Sequence, residues 1–266
     1  MGRLGPAIAL GALGLLTLVA ALGPTLSPYD PIQPVGPPSK GIGTDGHLLG
    51  TDIIGRDLLS RTLHGVQTSW FTALVVVAIG LFVGAVVGLI AGASGGWVDA
   101  LLMRMTDLFL ALPSAVVTIA IVAALGPSLK NTLIGVSVVW WPYYARIIRG
   151  EVRAIASRPH VEAARLAGVG TTRLLTRHIL PGVVPTAIVA ASLDVGNVIL
   201  LLAGLSFLGL GQPQPTPELG SDTARGAQFL LSTWWVPVVP GTAVLVLSLV
   251  ANLGGDGLRT WLARRR

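Results

Sequence analysis

Read for its apolar runs, the chain divides into long uncharged stretches separated by short polar ones. Leu4 to Leu22 is 19 residues without a charge. About 20 residues at about 1.5 Å each cross the roughly 30 Å hydrocarbon core of a bilayer, so a transmembrane helix is predicted there. A signal peptide is the rival reading, because Arg3 supplies a short basic start. However, Gly23 and Pro24 follow instead of a small-residue cleavage site. Trp70 to Gly92 predicts a second span and Leu108 to Leu125 a third, with Pro113 near its start. Thr132 to Ala145 predicts a short fourth, which Lys130 and Arg146 would lengthen by snorkelling. Val183 to Leu205 is a fifth, interrupted by Asp194 and Asn197, and Val236 to Leu253 a sixth. The fold class is therefore an all-α membrane protein of six transmembrane helices.

The polar stretches have their own texture. Pro24 to Ser69 carries prolines at 24, 28, 31, 34, 37 and 38, and reads as an external loop. In its second half Asp52, Arg56, Asp57 and Arg61 are spaced for i,i+4 pairing on a short amphipathic helix. This divides the chain at 69/70, with a first helix and external loop over 1–69 and a five-helix core over 70–266. Gly80, Gly84, Gly88 and Gly92 form a ridge that lets another helix approach closely. Trp97, Asp99 and Arg104 mark a polar connection, and Ser206 to Trp235 a proline-rich loop.

Composition agrees with a bilayer. The chain has 266 residues, 52 % hydrophobic and 11 % charged, against about 25 % charged in a soluble protein. With both termini in the cytoplasm, thirteen lysines and arginines fall on the inside and five outside (Lys40, Arg56, Arg61, Lys130 and Arg225), as the positive-inside rule requires. The tryptophans fall at or near the predicted span ends, where an aromatic belt would lie. There is no cysteine, hence no thiol chemistry. The four histidines are scattered, read as surface residues, and pair for no metal; no Ser/His/Asp arrangement is suggested.

Residues 146–182 are a basic island in this apolar chain. Pro159 suits a first helical turn, Glu162 to Ala167 a short helix and Gly168 its stop; Thr171 or Thr172 can cap a second helix that Pro181 limits. Arg165, Arg173 and Arg177 would be exposed. A DNA-binding helix-turn-helix is one reading, but the loop is tethered on both sides to membrane helices, so no nucleic-acid partner is expected. Adsorption to anionic membrane lipid is a second reading. A docking element for a soluble partner is the third, because the alanines and Gly168 leave a low-relief face beside Glu162.

Specific motifs favour the third. Glu162, Ala163, Ala164 and Gly168, followed by Leu180 and Pro181, resemble the E-A-A loop of bacterial ABC-importer permeases. The R-H-I-L-P ending is similar to the dipeptide/oligopeptide/nickel branch. GTDIIGRDLLSR (50–61), LSFLGLGQPQPTPELG (205–220) and NLGGDGLR (252–259) resemble further motifs of its C-type subunits. Departures are Gln67 for a usual Arg, Leu202 for a frequent Glu and Leu219 for a frequent Trp. The resemblance implies the type I importer permease fold and a multi-pass protein of the bacterial inner membrane. Its implied partners are a second homologous permease, ABC ATPase subunits and an extracytoplasmic substrate-binding protein. Glu162, Ala163, Ala164, Gly168, Leu180 and Pro181 would then couple to the ATPases.

The chain itself is not expected to be an enzyme or to bind a cofactor. A phosphate-binding loop ends in Gly-Lys-Ser/Thr, and neither Lys40 nor Lys130 stands in that context. ATP and Mg would sit on the partner ATPases. Di- or oligopeptides are the implied cargo, with a nickel chelate or haem-like molecule as the alternative. A gradient-driven secondary transporter is the rival class, but no internal repeat supports it. Asp194 and Asn197 are the pathway candidates, because a carboxylate in mid-span is costly and marks a functional site by default.

Overall fold

The computed structural model describes residues 4–264, so Arg3, Arg265 and Arg266 of the charge pattern lie outside the described residues. Helix α1 is Leu4–Leu22, α2 Leu58–Ser94, α3 Gly96–Ala111, α4 Ser114–Leu125, α5 Leu129–Ala156, α6 Pro159–Leu166, α7 Thr171–Leu174, α8 Leu180–Phe207, α9 Leu219–Ala227 and α10 Trp235–Ala263. Among the described residues, four continuous stretches have the length and apolarity of a membrane span: Gly5–Leu26, Leu58–Ser94, Thr171–Phe207 and Trp235–Ala263. Helices α3 and α4 make one more only if taken as a single span bent by 84°.

Each departure from the predicted spans has a local cause. Helix α2 begins twelve residues before Trp70, because Asp57 caps it by accepting from the Ser60 N–H at 2.7 Å. The division at 69/70 thus falls within a continuous helix. Trp97, Asp99 and Arg104 are not a connection but part of α3. The third run is broken at Leu112, extended at φ −96° and ψ 140° ahead of Pro113. Helix α5 reaches 28 residues; Pro142, its aromatic residues and its arginines dilute the hydropathy of the run. Pro181 does not end the island's second helix. A wide π turn over Leu175–Ile179 carries it into α8, placing a proline without breaking the chain's course. Helix α10 runs ten residues past Leu253, and α9 lies inside the expected proline-rich loop.

Helix α2 packs along α5, α8 along α10 and α2, and α10 along α1. Close approach is what the glycines permit. A Cβ on Gly84 would lie 2.5 Å from Tyr144 Cβ, and one on Gly88 2.6 Å from the Ala145 carbonyl oxygen. The predicted ridge is therefore the α2–α5 seam. The NLGGDG stretch is a second seam: a Cβ on Gly254 would meet Leu13 of α1 at 2.9 Å, and one on Gly255 the Ser192 carbonyl of α8 at 2.7 Å. Trp97, Trp234 and Trp261 are exposed, whereas Trp70 is buried in the core.

Candidate coupling surface and pathway site

Helix α6 is held on one side and open on the other. Val161, Leu174 and Ile179 are buried in the same core as Ile155 of α5 and Val183 of α8. Glu162, Ala163, Arg165, Ala167 and Gly168 are exposed, and Leu166 is 86 % exposed. Ala164 is half-buried. The turn after α6 is closed by two reverse hydrogen bonds, Gly168 N–H to the Arg165 carbonyl at 3.0 Å and Val169 N–H to the Ala164 carbonyl at 3.1 Å. Gly168 sits at φ +79°, the left-handed conformation this C-terminal motif requires and which a side chain disfavours. Leu180 is half-buried and Pro181 exposed at the start of α8. No threonine caps the second helix; Gly170 occupies the N-cap.

The basic island is less free than its composition suggests. Arg149 grips Asp99 of α3 with Nε at 2.6 Å and Nη2 at 2.7 Å, Arg153 reaches the same carboxylate at 2.5 Å, and Arg146 pairs with Asp107. Those three arginines tie α5 to α3. Arg158, Arg165, Arg173 and Arg177 remain exposed around α6 and α7.

In the middle of α8, Asp194 is 7 % exposed. Its Oδ2 accepts from the Tyr144 hydroxyl at 2.8 Å and from the Trp140 indole N–H, both on α5. Asn197, which is exposed, donates to Oδ1 at 3.3 Å. Asp194 and Asn197 are thus brought together, and the carboxylate is already satisfied between two helices of its own chain. Trp140 was expected at an interface and is instead one of its donors.

The 50–61 segment is a compact knot, and the pairing expected of it is only half right. Asp52 and Arg56 do pair, Oδ2 to Nε at 2.6 Å, but in a tight turn rather than a helix. The Asp52 Oδ1 accepts the Ile54 and Arg56 N–H groups, and Gly55 at φ +88° closes the turn. Asp57 and Arg61 do not pair with each other. Asp57 caps α2 and holds His47 Nδ1 at 2.8 Å, with both side chains buried, so His47 is no surface residue. Arg61, 1 % exposed, reaches Asp222 of α9 through Nε at 3.1 Å and Nη2 at 2.7 Å, and donates to the Pro31 carbonyl at 2.7 Å. Thr51 accepts the Lys40 N–H and donates to the Pro37 carbonyl. The motif therefore fastens the loop before α2 to α2 and α9. Glu218 caps α9 through the Gly220 and Ser221 N–H groups, although burial pushes its carboxyl above the usual range.

Asp222 and Arg225, and the donor roles of Trp140 and Tyr144, were not singled out from sequence. An Asp and an Arg three apart on α9 were the available signal.

Residues 84–266 match the family model described as the binding-protein-dependent transport system inner membrane component. The chain belongs to this family. It is an inner-membrane transport component, and the permease spans most of its curated relatives. It is 41 % identical over 253 residues to the probable D,D-dipeptide transport system permease protein DdpC of Escherichia coli K12, covering 93 % of this chain and 83 % of that one. It is 43 % identical over 261 residues to the di/tripeptide transport system permease protein DppC of Pseudomonas aeruginosa, covering 94 % and 86 %. The nickel transport system permease protein NikC of Escherichia coli K12 is 36 % identical over 260 residues, covering 96 % and 92 %. Among solved structures, a chain of the inward-facing MetNI methionine ABC transporter superposes with a TM-score of 0.61 at 17 % identity, covering 75 % of the permease and 95 % of that chain. The permease thus has the fold of ABC-importer permeases.

Proposed function

We propose that the permease forms one half of a translocation pathway for di- or oligopeptides in an ATP-driven importer. A second homologous permease supplies the other half, separate ABC ATPases bind and hydrolyse ATP with Mg, and an extracytoplasmic binding protein delivers the cargo. This chain binds no cofactor of its own. With six spans, α3–α4 and α5 counted among them, both termini lie on one side of the membrane, and the arginines of 146–182 assign that side and α6 to the cytoplasm.

The observation that carries the coupling reading is the two-sidedness of α6. Val161 fixes it to the core, while Glu162 and the exposed Leu166 face away. An exposed leucine beside a glutamate and exposed alanines suits a groove on a protein partner better than water or lipid headgroups. A partner that moves α6 would move α8 with it, since Val161 of α6 shares a buried core with Leu174 of α7, and α7, the π turn and α8 form one helical course from Thr171 to Phe207. Asp194 and Asn197 lie on that lever, so its tilt would re-aim a polar patch in mid-membrane. ATP bound elsewhere would thereby bias two conformations of the pathway.

ATP-driven uptake of a labelled dipeptide into membrane vesicles carrying the full importer tests the reading, with a labelled nickel chelate as the second arm. Uptake of the dipeptide that requires ATP is the expected result. Chelate uptake alone would keep the importer and change the cargo. Uptake with an ion gradient and no ATPase would replace the reading with a secondary transporter.

A further inference from the structure

Arg225 stands between two external cavities. The smaller has Asp52, Arg56, Arg61, Asp222 and Arg225 in its wall. Three guanidinium groups there face two carboxylates, which leaves one positive charge in excess. The pairing shows which arginine carries it. Arg56 is committed to Asp52, and Arg61 to Asp222 and the carbonyls of Pro31 and Pro215. Arg225 shares Asp222 through Nη2 alone, and its Nη1 is buried with no hydrogen-bond partner. Burial, and the charges of Arg61 and Arg56, hold its guanidinium below its usual value, with Asp222 opposing. A buried charged donor without an acceptor is costly.

The larger cavity, about 530 Å³, opens on the other side of Arg225. It lies at the C-terminal end of α8, between Ser206–Gly211 and α9, and its wall includes Gln212, Gln214, Ser221 and Gln228. Amides and a hydroxyl beside a guanidinium-bearing side chain that is 28 % exposed suit a carboxylate attached to a peptide group: the cation takes the charge and the neutral groups take the amide. We propose that Arg225 and this cleft form a receptor for the C-terminal carboxylate of the peptide cargo at the extracytoplasmic mouth of the pathway. The inference rests on the peptide-import reading above. Released cargo would meet Arg225 before entering between the permeases, and Arg225 would give up part of its hold on Asp222, which keeps Arg61.

The test uses the reconstituted importer with all its subunits, and compares wild type with Arg225→Gln and Arg225→Lys. Asp222 retains Arg61 in both variants, and co-purification of the partner subunits confirms assembly. Two quantities are read: ATP-driven uptake of labelled Ala-Ala at subsaturating concentration, and saturation-transfer NMR signals of Ala-Ala and its C-terminal amide on the importer without binding protein. The proposal expects a wild-type signal stronger for the acid than for the amide. It expects Arg225→Gln to erase that preference and to lower uptake about tenfold, the weight of one charge-assisted hydrogen bond, with Arg225→Lys intermediate. Equal signals for acid and amide on wild type, or uptake by an assembled Arg225→Gln importer at the wild-type rate, would overturn it. If the variant instead raises the binding-protein concentration that half-stimulates ATP hydrolysis, with the acid preference intact, Arg225 receives an acidic residue of that protein and the proposal also falls. Failure of wild type to take up any dipeptide would count against the import reading itself, and the two failures are thereby distinguished.

Discussion

Gly84→Ala tests the packing of α2 on α5 where the two helices come closest along the glycine ridge. The added Cβ would lie 2.5 Å from Tyr144 Cβ, 2.6 Å from the Trp141 carbonyl oxygen and 2.9 Å from the Ala145 amide nitrogen. Carbon pairs rest at about 3.5–4.0 Å, so α2 and α5 must separate locally by about 1 Å. Two of the three clashing atoms are backbone and cannot swing aside. Overpacking of this kind costs about 1–3 kcal/mol. Alanine's better helix propensity returns at most about 1 kcal/mol, so a net loss of about 1–2 kcal/mol is expected. The comparator is Gly150→Ala on α5, where an added Cβ meets nothing within 4 Å. Unfolding of the purified permease in mixed micelles by increasing SDS fraction gives both values. Gly84→Ala should lower the midpoint and Gly150→Ala should hold or raise it. Equal midpoints would mean that the glycine ridge is not the seam described.

Asp194→Leu strands the Tyr144 hydroxyl and the Trp140 indole N–H; it should cost about 1–3 kcal/mol per stranded donor, more than Asp194→Asn, which keeps an acceptor. Thermal unfolding in detergent decides the order, and an Asn variant as unstable as the Leu variant would contradict it. Arg61→Met leaves Asp222 buried with only Arg225. A loss of about 3–5 kcal/mol is expected, read as a collapse in folded yield, with partial recovery when Asp222→Leu is added. A yield unchanged in the single variant would show that the knot does not depend on that pair.

What the sequence disclosed, and what it hid, follows from the range of the interactions involved. The first helix was legible as far as its end at Leu22, because no charged side chain lies in Leu4–Leu22. The glycine ridge was legible because a four-residue period is a property of one helix. The start of α2 was hidden: the polar residues of 58–69 are a helix whose partners are the loop before it and α9, and hydropathy sees only lipid. Arg61 and Asp222 are 161 positions apart, and no local pattern links them. His47 looked solitary for the same reason, its partner Asp57 lying across a turn. Pro181 misled because a proline was taken as a helix limit, whereas the π turn before it absorbs the disruption. The coupling motif was read from resemblance. Gly168 was also derivable from chemistry, since only a left-handed residue closes that turn.

If α6 couples this permease to ATPases, co-purification of the subunits should report it. The ATPase subunits are expected to co-purify with the wild-type permease. Glu162→Arg combined with Gly168→Trp reverses the charge of the docking face and forces a bulky residue into a left-handed turn. It should release the ATPases and abolish ATP-driven uptake, while the permease stays folded in the membrane, because Val161, Leu174 and Ile179 are untouched. ATPases retained in normal amount by the double variant, or never recovered with wild type, would contradict the account.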